Sequence, residues 1–207
     1  MNSQNKRVIF CAGTGCVAGG ALKIYERMQV LLKELGLNTV EVTLEKEGPE
    51  NIRLTKSGCQ GFCQMGPLVT ILPENILYTR VKPEDVEEIV SRTLVKGECI
   101  ERLLYAPPGD LKNSYKGPEE IPFYKRQTRY VLKQCGWIDP EDITEYVSQG
   151  GYEQARKAFA KMTSEGVCQT ILDSGLRGRG GGGFPTGKKW ELTRVQPGSQ
   201  KYIVCTG

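Results

Sequence analysis

Four of the chain's eight cysteines stand in two tight pairs, and the chain has no histidine. Cys11 and Cys16 enclose Ala-Gly-Thr-Gly, and Cys59 and Cys63 enclose Gln-Gly-Phe. Glycines surround both pairs (Gly13, Gly15, Gly58, Gly61, Gly66), so backbone can approach sulfur and donate N–H bonds to it. This pattern constrains the fold more than any other feature, because regular elements have to place both loops. The missing histidine removes Cys/His zinc sites, histidine general bases and Ser-His triads together.

The remaining composition bounds the setting. At 207 residues the chain suits one or two domains, and 39% hydrophobic with 25% charged residues argues against disorder. A net charge of +4 is too small and too localised for a nucleic-acid binder. No run approaches the roughly 18 apolar residues of a membrane span. The start, Met-Asn-Ser-Gln-Asn-Lys-Arg, leads into a strand-like segment rather than a signal-peptide apolar region. The expected location is the cytoplasm, where structural disulfides are rare and clustered cysteines usually mean metal.

The pattern over residues 1–97 predicts a small α/β domain. Lys6–Cys11 reads as a buried strand. Ala21–Leu35 has apolar residues at helical spacing (24, 28, 31, 32, 35), with Gly36 as its cap. Thr39–Leu44 alternates as a half-buried strand, and Ile52–Ser57 follows a polar loop. Leu68–Leu72 and Ile76–Val81 read as strands joined by a turn at Pro73-Glu-Asn75, and Pro83–Leu94 as a helix. This order suits a thioredoxin-like topology with the cysteine pairs at its loops. Four thiolates without histidine suit a soft metal or an iron–sulfur cluster. A single zinc usually takes Cys-x2-Cys pairs, whereas intervals of four and three suit a binuclear cluster. A redox dithiol would need Cys-x-x-Cys, which these pairs lack. One zinc ion and buried free cysteines are the alternatives.

Cys11-x4-Cys16 with Cys59-Gln-Gly-Phe-Cys63-Gln-Met-Gly-Pro67 resembles the thioredoxin-like [2Fe-2S] ferredoxin domain of NADH dehydrogenases and related hydrogenase subunits. The resemblance implies that all four cysteines ligate one [2Fe-2S] cluster.

Residues 98–122 (Ala106-Pro-Pro-Gly-Asp110, Lys116-Gly-Pro118, Ile121-Pro122) read as a linker. Four short helices are then predicted: Phe123–Cys135; one capped by Asp139 through Val147; Tyr152–Met162; and one capped by Thr163 or Ser164 up to Gly175. Cys99, Cys135 and Cys168 have no partner at ligand spacing and read as small buried hydrophobes.

Gly175–Trp190 is the second constraint. Seven of its sixteen residues are glycine and four are basic. From Arg177 to Lys201 there are six basic residues against one acid, Glu191, which suggests a nest for an anion such as phosphate. Gly178-x-Gly180-x-x-Gly183 matches the dinucleotide fingerprint as a string, but a helix precedes it and no acid follows about 20 residues on. Gly182-x4-Gly187-Lys188 matches a P-loop until Lys189 replaces the Mg²⁺-binding hydroxyl. A flexible linker is the bland alternative, opposed by Phe184, Pro185 and Trp190 ahead of a strand.

The whole string Gly175-Leu-Arg-Gly-Arg-Gly-Gly-Gly-Gly-Phe-Pro-Thr-Gly-Lys-Lys-Trp190 resembles the nucleotide-binding loop of NADH dehydrogenase flavoprotein subunits. The same loop occurs in NAD(P)-linked and electron-bifurcating iron hydrogenases and NAD-linked formate dehydrogenases. A ferredoxin domain ahead of it resembles the beta subunit of the bifurcating hydrogenases. The resemblance implies that residues 123–207 begin an FMN/NADH-binding flavoprotein domain. Gly178, Arg179, Gly180 and Gly183 would line the FMN and NADH cavity, Phe184 would stack on the nicotinamide nucleotide, and Lys189 would meet the flavin phosphate. No side chain need act as acid or base, because the cofactor carries the chemistry.

The implied partners are NAD(H), an iron hydrogenase or similar catalytic subunit, and a small ferredoxin-like subunit. Lys201–Gly207 looks like the strand after the loop, which in the family continues through the rest of the flavin domain and its [4Fe-4S] cysteines. The expectation is therefore an incomplete flavin domain, inactive alone, behind a cluster domain that folds by itself. A stand-alone [2Fe-2S] redox module and a phosphate-binding NTPase are the competing readings.

Overall fold

The computed structural model describes residues 6–37, 52–109, 113–198, 200, 202 and 204. The strands expected at Thr39–Leu44 and after Lys201 lie outside these, apart from Tyr202 and Val204. The chain divides into two compact units, residues 1–146 and 147–207.

A four-stranded sheet organises the first unit, in the order β2-β1-β3-β4. Strand β1 (Lys6–Cys11) is central because Val8, Ile9, Phe10 and Cys11 are apolar on both faces and all are buried. It pairs in parallel with β2 (Ile52–Ser57), Cys11 standing opposite Ser57. Parallel pairing requires a crossover, and helices α1 (Thr14–Ala18) and α2 (Ala21–Glu34) lie between the two strands in sequence. Gly36 turns the chain past α2 at φ +65°. Strands β3 (Val69–Leu72) and β4 (Ile76–Tyr78) add in antiparallel register. Strand β4 is shorter than the predicted Ile76–Val81. Arg80 adopts φ +51°, and the Thr79 amide donates to the Leu103 carbonyl at 2.7 Å. The predicted Pro83–Leu94 helix is one helical run. It opens as a 3₁₀ turn (Pro83–Asp85), passes through α3 (Val86–Glu88) and widens to π-helix (Ile89–Val95).

One sheet face carries Val8, Phe10, Val69, Ile71 and Tyr78. It packs against Ile24, Met28 and Leu32 of α2 and Val86, Ile89 and Val90 of the later helix. Each of these fully buried side chains contributes about 1.5–3 kcal/mol of transfer free energy. Leu35, in the predicted apolar stripe, is 55% exposed because α2 has ended.

The opposite face carries Arg7, Ile9, Cys11, Thr55, Thr70 and Leu77; Tyr105, Tyr115, Ile121 and Tyr124 pack on its Cys11 and Leu77 end and Glu145 on Arg7, while Ile100 and Leu103 join the first face's core. The stretch 98–122, expected as a linker, packs instead. Ile100, Leu103 and Ile121 are buried, the Leu77 amide donates to the Lys116 carbonyl at 2.8 Å, and Tyr105 bridges to Tyr115. Its Pro and Gly residues make turns between these contacts. Farther on, Glu145 is buried against the sheet and accepts two bonds from Arg7 Nη2, at 2.8 and 2.9 Å. Arg53 pairs with the same carboxylate, and with Asp142 at 3.1 Å.

The helix predicted over Phe123–Cys135 is the clearest difference. Helix α4 (Pro122–Lys125) stops after one turn. Tyr130, Val131 and Leu132 are exposed, so no apolar face is buried to stabilise a longer helix. Helix α5 (Ile143–Ser148) starts later than the predicted cap. Asp139 accepts from the Glu141 amide, and Asp142 accepts from the Thr144 amide at 2.9 Å.

In the second unit, α6 (Glu153–Lys161) precedes α7 (Ser164–Asp173), which Thr163 caps by accepting from the Gly166 amide at 3.1 Å. Helix α8 (Thr186–Arg194) follows the glycine loop directly. A Cβ on Gly187 would lie 2.4 Å from the Leu172 backbone nitrogen, so this glycine is needed for α7 and α8 to pack.

Candidate metal centre and glycine loop

The fold brings the two cysteine pairs to one end of the sheet. Cys11 ends β1, and the Ala12 amide after it donates to the Ser57 carbonyl at 2.9 Å, tying it to the start of the second loop. Cys16 lies in α1 and is buried like Cys11, while Cys59 and Cys63 are exposed. Gly13 is what lets the loops meet. A Cβ there would stand 2.9 Å from Cys59 Cβ and 3.1 Å from its sulfur. Gly66 plays the same part for Cys16, whose sulfur would lie 2.7 Å from an added Cβ.

The sulfurs are linked in a chain, Cys11 hydrogen-bonding both Cys16 and Cys59. Cys59 Sγ and Cys63 Sγ are 3.8 Å apart. Two thiolates on one tetrahedral ion at about 2.3 Å stand roughly 3.8 Å apart, so this pair fits a single metal. Cys11 and Cys16 share a side-chain hydrogen bond. Among the described residues, no three His, Cys, Asp or Glu groups converge as a site for one ion. The Gly61 amide donates to Cys59 Sγ at 3.3 Å, and the Gln60 and Gly13 backbones donate to Cys11. Such donors favour sulfur carrying negative charge.

Among Cys11, Cys16 and Cys59, only Cys11 follows this tendency. The hydrogen bond from Cys16 leads in holding Cys11 down to about 6, against opposing burial. The same bond raises Cys16, because its proton is the one shared. Burial raises Cys59. A [2Fe-2S] group thus meets a fitting donor set here: sulfur pairs, amide donors and glycines that clear the approach.

Several neighbours had no signal in the sequence. Gln60, between the loop cysteines, is buried. Arg129 reaches it, donating from Nη2 to the Gln60 carbonyl at 2.5 Å and from Nη1 to the Cys135 carbonyl at 3.3 Å. The Arg129 guanidinium lies 5.3 Å from the Tyr124 ring centre. Burial raises the Tyr124 hydroxyl, and charge on Cys11, Cys59 and Cys16 adds to the rise. Phe62 stacks on Phe123 with ring centres 4.8 Å apart. Of the remaining cysteines, Cys168 is buried as expected, whereas Cys99 and Cys135 are half-buried.

The glycine loop closes on itself. The Gly178 amide donates to the Phe184 carbonyl at 2.9 Å, the Thr186 amide to the Leu176 carbonyl at 2.9 Å, and Arg177 to the Gly183 carbonyl at 3.2 Å. Gly180 to Gly183 have open space where a Cβ would be, and Gly181 and Gly183 have positive φ. Arg179, Phe184 and Lys189 are exposed, and neither Arg179 nor Lys189 has a carboxylate partner among the described residues. A helix precedes the loop, as the rejection of a Rossmann fingerprint required.

Residues 2–94 match the thioredoxin-like [2Fe-2S] ferredoxin family, and this part of the chain is such a domain. The chain is 47% identical over 81 residues to the HndC protein of the NADP-reducing hydrogenase of Solidesulfovibrio fructosivorans, covering 39% of this chain and 16% of that one. It is 28% identical over 211 residues to the alpha subunit of the NAD-reducing hydrogenase HoxS of Cupriavidus necator, covering 90% of this chain and 30% of that one. Against a component of the NADH-quinone oxidoreductase of Escherichia coli it is 38% identical over 96 residues, covering 46% and 20%. The chain thus spans less than a third of the length of each of these relatives. No described helix is long and apolar enough to cross a membrane.

Proposed function

We propose that this chain is an electron-transfer segment of an NAD(P)H-linked flavin and iron–sulfur oxidoreductase, of the bifurcating hydrogenase kind. The observation that carries the reading is the gathering of Cys11, Cys16, Cys59 and Cys63 at one end of the sheet, inside a domain matched to the [2Fe-2S] ferredoxins. Cys11 and Cys16 would hold one iron, and Cys59 and Cys63 the other. When bound, the cluster takes up and releases single electrons.

The chain's own groups do the rest. Gly13 and Gly66 leave room for the sulfurs, and the Gly61 amide stabilises charge on Cys59. Burial of Cys11 and Cys16 keeps water from the inner pair, while the exposed Cys59 and Cys63 offer the edge through which electrons pass.

We further assign residues 1–97 to the cluster domain, 98–122 to a connection that packs on it, and 123–207 to the start of a flavoprotein domain whose first residues, to 146, lie in the same compact unit as the cluster domain. Gly178, Arg179, Gly180, Gly183, Phe184 and Lys189 would form one wall of an FMN and NAD(H) cavity. Open space at Gly180, half-exposed Phe184 and Lys189 without a carboxylate partner support this, since a flat heterocycle and phosphates need all three. The partners would be a hydrogenase-type catalytic subunit and a small ferredoxin-like subunit. Seven free cysteines among the described residues suit the reducing cytoplasm.

Anaerobic reconstitution of the full chain with iron and sulfide tests the assignment. The reduced protein should give a rhombic one-electron EPR signal that disappears in Cys16→Ser and in Cys59→Ser. A colourless chain holding one zinc ion would overturn it.

A further inference from the structure

Arg129 is a cation without an anion among the described residues. Its guanidinium contacts two carbonyls, those of Gln60 and Cys135, and the face of Tyr124. Its Nε is buried without a hydrogen-bond partner, and no carboxylate pairs with it among the described residues. An uncompensated, partly buried charge is costly unless negative charge lies near. What lies near is the Cys59–Cys63 loop. A Cβ on Gly61 would stand 3.0 Å from Arg129 Nη2, and the Gly61 amide in turn donates to Cys59 Sγ. The same stretch reinforces the grip, because a Cβ on Gly136 would stand 3.0 Å from Gln60 Cγ.

We propose that Arg129 is a positioning residue that fixes the Cys59–Cys63 loop and holds an unneutralised positive charge beside the cluster, raising its reduction potential. This rests on the proposed [2Fe-2S] site. A four-thiolate [2Fe-2S] cluster is a dianion when oxidised and a trianion after one-electron reduction. A fixed cation therefore stabilises the reduced form more than the oxidised form. Screening is weak because the contact is partly buried. Tyr124 serves as the platform that keeps the guanidinium over the loop.

EPR-monitored redox titration of the reconstituted full chain tests this. In Arg129→Gln the reduced-to-oxidised ratio at a fixed potential should fall about tenfold, which for one electron is about 59 mV. Arg129→Lys should recover most of that shift, because it restores charge without the planar fork. A loaded Arg129→Gln with the wild-type potential overturns the inference and leaves the cluster assignment standing. A wild-type chain that assembles no cluster overturns both. If Arg129→Gln cannot retain the cluster, Arg129→Lys decides. Retention at the wild-type potential supports the charge, and loss in both variants overturns it.

Discussion

At the scale of single residues, two glycines that look alike in the sequence have opposite duties. Gly13 and Gly58 both flank the cysteines, yet only Gly13 faces another side chain closely. Gly13→Ala would push its Cβ against Cys59 and part the two loops. We expect iron bound per chain to fall severalfold on reconstitution while circular dichroism stays unchanged. Gly58→Ala, with open space and ordinary φ, should load like the wild type. The cysteine pairs themselves are legible from sequence because the spacing of ligands within a loop is local chemistry. Arg129 is not legible. Its partners, the Gln60 and Cys135 carbonyls, are backbone atoms that carry no sequence signature.

Among elements, the same separation applies to the glycine loop. Gly187 serves helix packing, since its hydrogens face the Leu172 backbone, whereas Gly180 faces open space. Gly187→Ala should destabilise the unit of α7 and α8 by about 1–3 kcal/mol, seen as faster amide exchange in both helices. Gly180→Ala, with nothing within reach of the added Cβ, should leave exchange unchanged. Composition could not distinguish these roles, because both glycines sit in one string. Helix boundaries were legible where an apolar stripe is buried, as in α2. They were not legible over Phe123–Cys135, where helical spacing exists but Tyr130, Val131 and Leu132 meet no core. Glu145 is a second element-level device, a buried carboxylate joining α5 to β1 and β2. Its arginines are 22% and 30% exposed, so a discounted loss of about 1–3 kcal/mol is expected for Glu145→Gln in urea unfolding.

At the scale of the molecule, the first compact unit runs past the family match, to residue 146. The sheet's second face, with Cys11, Leu68 and Leu77, is closed by Tyr105, Tyr115, Ile121 and Tyr124 rather than left to solvent. A fragment ending at Gly97 exposes that face at about 1.5–3 kcal/mol for each large side chain uncovered. We expect a fragment of residues 1–146 to unfold at clearly higher urea concentration than one of residues 1–97. Equal midpoints would show that the covering segment adds no stability. Turn-forming Pro and Gly made residues 98–122 read as a connector, because the sequence does not reveal which surface a turn folds back upon. The central claim is that four cysteines in two pairs hold one binuclear cluster. Iron and acid-labile sulfide analysis of the reconstituted 207-residue chain, joined to EPR spin counting, tests it most directly. The account predicts two irons and two sulfides per chain with one unpaired spin after reduction; a single metal ion per chain without sulfide would contradict it.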